Sequence, residues 1–176
     1  MVFDKVIYIG DILNFVSICL VLLGGCFGYI QWRESIKIKR AEYINELTEK
    51  IRTDDDIKEI IYILEYDHIW YNSKFHDSGE LERKMDKTLS HFSYICYLYE
   101  TGQIKEKEFG FFKYEIERIL SNFQVQSYFF NLYHFAQKIE VPITFKYLFE
   151  YGEDHEIFDD SFYDSTSKKY CHYLNF

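Results

Sequence analysis

Between Asp11 and Arg33 the chain runs for 21 residues, Ile12 to Trp32, without a charged side chain. At about 1.5 Å of rise per residue, such a run in helical form matches the hydrocarbon core of a bilayer, roughly 30 Å. A cleaved secretory signal would start basic, carry a shorter apolar core and end on small residues. Here Asp4, Lys5 and Asp11 precede the run, and Tyr29, Ile30, Gln31 and Trp32 close it. The expectation is therefore a retained transmembrane helix, with the lipid bilayer as its first partner.

The flanks set an orientation. Lys5 alone precedes the run, whereas Arg33, Lys37, Lys39 and Arg40 follow it closely. The positive-inside rule then puts the N-terminus outside and residues 33–176 in the cytoplasm. Tyr29 and Trp32 suit the inner interface, and residues 1–10 read as an interfacial stub. One side of the expected helix differs from the others. Asn14, Ser17, Val21, Gly24, Gly28 and Gln31 recur at steps of three and four, so they share a stripe, and Gly24 with Gly28 forms a GxxxG pair. Small residues let helices approach closely in lipid, and Asn14 and Gln31 need polar partners wherever water is excluded. The stripe reads as a helix–helix contact in a homo-oligomer or as the lining of a polar path.

Beyond Trp32, breakers are rare, with one proline, Pro142, and eight glycines in 176 residues. The fold class expected is all-α: an N-terminal stub and transmembrane helix over 1–32, a juxtamembrane helix over 33–52, and a cytoplasmic helical bundle over 53–176. Within the bundle, periodic apolar positions predict helices to about Tyr66 from Thr53 and Asp54, then over about 80–100, 105–120 and 122–139. Residues 67–79 read as a connection. Pro142 is expected in the first turn of a sixth helix ending before Gly152. Residues 153–176 show no assignable pattern.

Chemistry is sparsely signposted. The net charge of −9 opposes a nucleic-acid surface, and the aromatic stretch 122–137 has no Lys or Arg to accompany base stacking, so no direct nucleic-acid binding is expected. Residues 150–164 hold seven acidic groups and no Lys or Arg. Cys19, Cys26, Cys96 and Cys171 have no CxxC spacing and read as free thiols. Asp67, His68, His76 and Asp77 lack the spacing of a metal motif, and neither metal nor cofactor is expected. For an enzyme, the candidate is the HEPN ribonuclease family, in which about four to six residues separate an Arg from a His that acts with it on the RNA 2′-hydroxyl. Seven residues separate Arg83 from His91 and six separate Lys84 from it. The pair at the right spacing has Lys, which lacks the planar fork of Arg. Ribonuclease activity is therefore not the expectation, and these three residues are the weak catalytic candidates.

In layout, the span from Ile12 to Trp32, the basic exit from Arg33 to Arg40 and the helices after Thr53 resemble the membrane accessory proteins of type VI-B CRISPR systems. That resemblance covers the whole chain in arrangement and rests on no sharp motif. The family's divergent HEPN-like Arg/His signature is not matched at Arg83, Lys84 and His91. The resemblance implies an oligomeric pore in a bacterial inner membrane that lowers the membrane potential in antiphage defence, with an RNA-guided RNA nuclease as functional partner. Two alternatives stand beside it: a membrane-tethered scaffold or sensor that binds a protein partner without a pore, and a membrane-bound HEPN-like ribonuclease.

Overall fold

Uniform helical hydrogen bonding follows from the shortage of breakers, and the computed structural model, which describes residues 9–66 and 68–176, contains seven helices and no strand among those residues. They are α1 (Ile9–Thr53), α2 (Asp55–Glu65), α3 (Phe75–Ser78), α4 (Glu80–Glu100), α5 (Glu106–Ser121), α6 (Phe123–Lys138) and α7 (Lys146–Asp154), with a 3-10 turn at Asp160–Phe162. Residues 1–8 of the expected interfacial stub lie outside the described residues. The chain divides into two units, one up to Leu47 and one from Thr48 to Phe176. That division falls inside α1, which runs unbroken from the apolar stretch through the basic exit to Thr53, the single long helix that the absence of Gly and Pro after Trp32 predicts.

The helix starts follow local chemistry. Asp54 caps α2, its Oδ1 accepting from the amides of Asp56 at 3.1 Å and Ile57 at 3.3 Å. Asn122 ends α5 and caps α6, accepting from Gln124 and Val125 at 3.0 and 3.2 Å. Gly102, at φ +70°, stops the chain just past the end of α4, a conformation glycine adopts without the Cβ clash.

Two expectations need correction. Pro142 does not open a helix; it stands in the irregular stretch ahead of α7, which begins at Lys146. The cause is the buried ring of Phe145, which stacks on Phe129 at 6.0 Å while its backbone takes φ +59°. Holding that residue left-handed postpones the first helical turn. Gly152 does not follow the helix but lies within α7, which runs on to Asp154. Its missing side chain admits Phe158, whose Cε2 would sit 2.5 Å from an added Cβ.

The core of the second unit is aromatic. Phe92, Phe109, Phe112, Phe129, Phe130 and Phe162 are each at most 1% exposed. Residues 153–176, unassigned from pattern, pack by their rings: Tyr170 stacks on Phe130 at 4.9 Å, and Phe158 on Phe162 at 4.5 Å. Helix α6 holds this segment by backbone as well. The Asn131 amide is fully buried; its Nδ2 donates to the carbonyls of Ser127 (2.8 Å) and Cys171 (2.5 Å), and its Oδ1 accepts from the amides of Tyr173 (2.7 Å) and Leu174 (2.9 Å). His134 Nε2 donates to the Phe162 carbonyl at 3.0 Å, and Lys138 Nζ to that of Asn175 at 3.0 Å. At the other end of α6, Gln124 Oε1 accepts from Trp70 and Tyr71 while its Nε2 donates to the His68 carbonyl. Buried polar groups stabilise only when paired, and the buried Asn131 and His134 each find backbone partners.

Candidate functional site: the exposed span and the charged seam of α4

Within α1 the stretch from Ile12 contains one segment long and apolar enough to cross a membrane, and none of its most apolar window is buried in the chain. Thirteen large apolar side chains between Ile12 and Trp32 are exposed, from Val16 at 46% to Val21 at 74%. They occupy most of the circumference, and the remaining face carries mainly small and amide side chains. Asn14, Ser17, Val21, Gly24, Gly28 and Gln31 are all exposed and share one helical face. Among the described residues, a Cβ added at Gly24 or Gly28 meets nothing within 4 Å, so no contact with those residues calls for glycine there. Tyr29 and Trp32 place their rings 6.0 Å apart at the end of the run. Of the basic group that follows, Arg33, Lys37 and Lys39 are exposed and Arg40 is half-buried; Lys37 pairs with Glu34 at 2.6 Å.

The weak catalytic candidates sit on α4, on two different kinds of surface. Arg83 reaches Asp56 at 3.5 Å, and Lys84 pairs with Glu59 at 2.8 Å and Glu80 at 3.3 Å. Lys87 bridges Asp54 and Asp56 at 2.7 and 2.9 Å. His91 is buried at 5% exposure, with its ring edge-on to Phe92 at 5.8 Å. The cations thus form a seam with the acidic first turn of α2, while the imidazole lies in the core. Hydrogen bonding from Lys87 holds the carboxyls of Asp54 and Asp56 below their usual range, and Glu59 holds the Lys84 ammonium above its own. The arrangement is one of paired charges between two helices, with the His91 imidazole buried apart from them.

One polar cluster was not foreseen. Tyr128 on α6 donates to Asp86 on α4 at 2.8 Å, and burial pushes the Asp86 carboxyl above its usual range against that hydrogen bond. His76 Nδ1 meets Glu82 at 2.7 Å, and its Nε2 lies 3.4 Å from the Tyr71 hydroxyl. Tyr71 and Tyr128 are buried, with ring centroids 5.3 Å apart, and burial raises both phenols well above the usual range. Only the aromatic excess signalled it; the pairing of Tyr128 with Asp86 joins residues 42 apart, beyond the reach of helical periodicity.

Among the described residues no group of three or more His, Cys, Asp or Glu side chains converges to hold a metal ion. Asp67, named with His68, His76 and Asp77, lies outside the described residues. Comparison of the chain with family models, curated proteins and solved structures returned no match.

Proposed function

We propose that the chain is a single-pass membrane protein that self-associates through its span and serves antiphage defence as a pore-forming accessory, the role implied by its resemblance to type VI-B CRISPR membrane proteins. The observation that carries the membrane part is the uncovered apolar circumference of residues 12–32. Leaving one large apolar side chain in water costs about 1.5–3 kcal/mol, so thirteen together amount to tens of kcal/mol. A helix this apolar belongs in a protein core or in lipid, and among the described residues none of its most apolar window is buried. The basic cuff at Arg33, Lys37, Lys39 and Arg40 orients the second unit to the cytoplasmic side of the bacterial inner membrane.

Self-association draws its support from the stripe. With open space at Gly24 and Gly28, a neighbouring helix approaches closely along that line, and Asn14 and Gln31 find amide partners on neighbouring copies. In a ring of such helices with the stripe toward the axis, Asn14, Ser17 and Gln31 supply the polar groups of the lining. One feature favours the tethered scaffold instead: Val21, Gly24 and Gly28 bring no polar side chain to the middle of the stripe, as a dry seam requires. Leakage of a trapped dye from liposomes carrying purified protein separates the two. Pore formation predicts leakage that rises with protein density and falls in Gly24→Ile/Gly28→Ile, together with smaller particles by light scattering. Intact vesicles around an oligomeric protein leave the scaffold, with its RNA-guided nuclease or another protein as partner. A monomeric, non-leaking protein overturns self-association and pore together. Loss of RNA cleavage on His91→Ala would instead bring back the ribonuclease.

A further inference from the structure

Helix α5 carries a face that the fold leaves uncovered. Phe109, Phe112, Ile116, Ile119 and Leu120 are buried on its inner side, whereas Lys107, Gly110, Phe111 and Tyr114 are exposed on the opposite one. At 70% and 69%, Phe111 and Tyr114 are the most exposed Phe, Tyr or Trp side chains among the described residues. Gly110 stands mid-helix, and a Cβ added there meets nothing within 4 Å among those residues. Glycine weakens a helix interior, and no contact within that set asks for one. One turn before Tyr114, it makes a hole beside a knob.

A second observation is the order of charges along the helix. Counted outward from Phe112, α5 is its own complement: Glu106 mirrors Arg118, Lys107 mirrors Glu117, and Gly110 mirrors Tyr114. In two antiparallel copies related by a two-fold axis at the level of Phe112, mirrored positions stand at the same height. Moving that axis by half a residue either way sets Lys107 against Arg118 or Glu106 against Glu117, so like charges disfavour the neighbouring registers. Within the chain Lys107 is exposed, Glu117 lies 3.8 Å from Lys113, and Glu106 accepts from the Tyr99 hydroxyl. Arg118 holds Glu115 at 2.5 Å and Glu65 at 3.6 Å. Carboxylates accept at two oxygens and a guanidinium has five N–H donors, so these pairings leave capacity for more.

We infer that α5 pairs antiparallel with α5 of a second copy, each Tyr114 ring seated over Gly110 of the other copy and each Lys107 bridged to its Glu117. Glu106, Lys107, Glu117 and Arg118 cancel in charge. A surface of one sign, such as anionic lipid or nucleic acid, therefore finds no complement on this face, and a second copy does. One helix face offers less than the roughly 800 Å² per partner of a stable complex. The contact accordingly rests on the proposed self-association of the span, which holds copies at high effective concentration.

The test is photocrosslinking of the full-length protein in liposomes, with a benzophenone amino acid in place of Phe111. A covalent dimer is expected, its cross-linked peptide mapping by mass spectrometry to α5 of the second copy. Lys107→Glu should lower the dimer yield about tenfold, and Lys107→Glu/Glu117→Lys should restore it. Gly110→Leu fills the hole and should lower the yield about fivefold. Thermal unfolding of each variant verifies that the fold persists. Light scattering of the extracted protein separates this contact from the assembly it rests on: oligomers without the α5 cross-link overturn the inference alone, and monomers overturn both. Cross-links to lipid or to another face of the second copy, or a charge swap that fails to restore the dimer, overturn it as well.

Discussion

Helices α1 and α6 are both rich in apolar side chains, yet they meet opposite fates. From Ile12 to Trp32, α1 leaves thirteen large apolar residues exposed, while α6 buries Val125, Tyr128, Phe129 and Phe130 almost completely. The polar residues explain the contrast. On α6, Gln124, Asn131, His134 and Lys138 each find backbone partners in the 68–71 connection or in the segment after α7, so one polar line draws neighbouring chain over the helix. On α1, Asn14, Ser17 and Gln31 stay exposed and no loop is drawn over them. Apolar content alone does not place a helix inside a protein; the polar residues that recruit cover decide it.

Substitutions break this comparison from either side. The largest effect is expected from Phe129→Ala, which leaves a cavity where α6 meets Phe145, Phe149 and Phe158 and should cost the second unit about 3–5 kcal/mol in chemical denaturation. Membrane retention should not change. Leu20→Arg works the other way: a charge at the middle of the span costs about 3 kcal/mol of insertion, so a smaller share of the protein should resist carbonate extraction while the second unit melts as before. Asn131→Leu keeps the volume but strands the amides of Tyr173 and Leu174. A loss of about 2 kcal/mol is expected, with faster hydrogen exchange at those two amides. The smallest is Asp54→Ala, about 1 kcal/mol for a lost helix cap. Its pH dependence has a definite sign. The folded Asp54 carboxyl titrates below its ordinary value, so its contribution is present above the unfolded pKa and fades as pH falls through the folded one. Wild type and variant should therefore converge in acid. Asp86 titrates above its ordinary value, so any contribution it makes runs the opposite way and is lost as pH rises through the folded pKa.

Most of the helical frame was legible from periodicity. The limits of α4 agree with the pattern from Glu80 to Glu100, and the buried positions Phe109, Phe112, Ile116 and Ile119 of α5 follow the expected stripe. The misplaced start of α7 has a different origin. Pro142 is a local signal, whereas the left-handed Phe145 is dictated by a ring packed on α6, sixteen residues earlier at Phe129. The final segment escaped for the same reason, since its order comes from Asn131 and Phe130 rather than from any repeat of its own. Of the candidate site, the long exposed apolar helix and the shared face of Asn14, Ser17, Val21, Gly24, Gly28 and Gln31 were readable because both follow from local composition and the helical period. The α2–α4 ion seam and the Asp86–Tyr128 pair were not, since each joins positions far apart in the chain.

The clasp at Asn131 also bears on what happens when the backbone is cut. Residues 139–142 are exposed and lie between α6 and the elements that fold back upon it. A protease nick there severs the covalent thread but leaves the Cys171–Leu174 backbone bonded to Asn131, and the rings of Tyr170 and Phe162 lodged against Phe130. The two pieces should stay together through purification and part only in denaturant. The same geometry makes this turn a natural place to divide the domain into complementing halves.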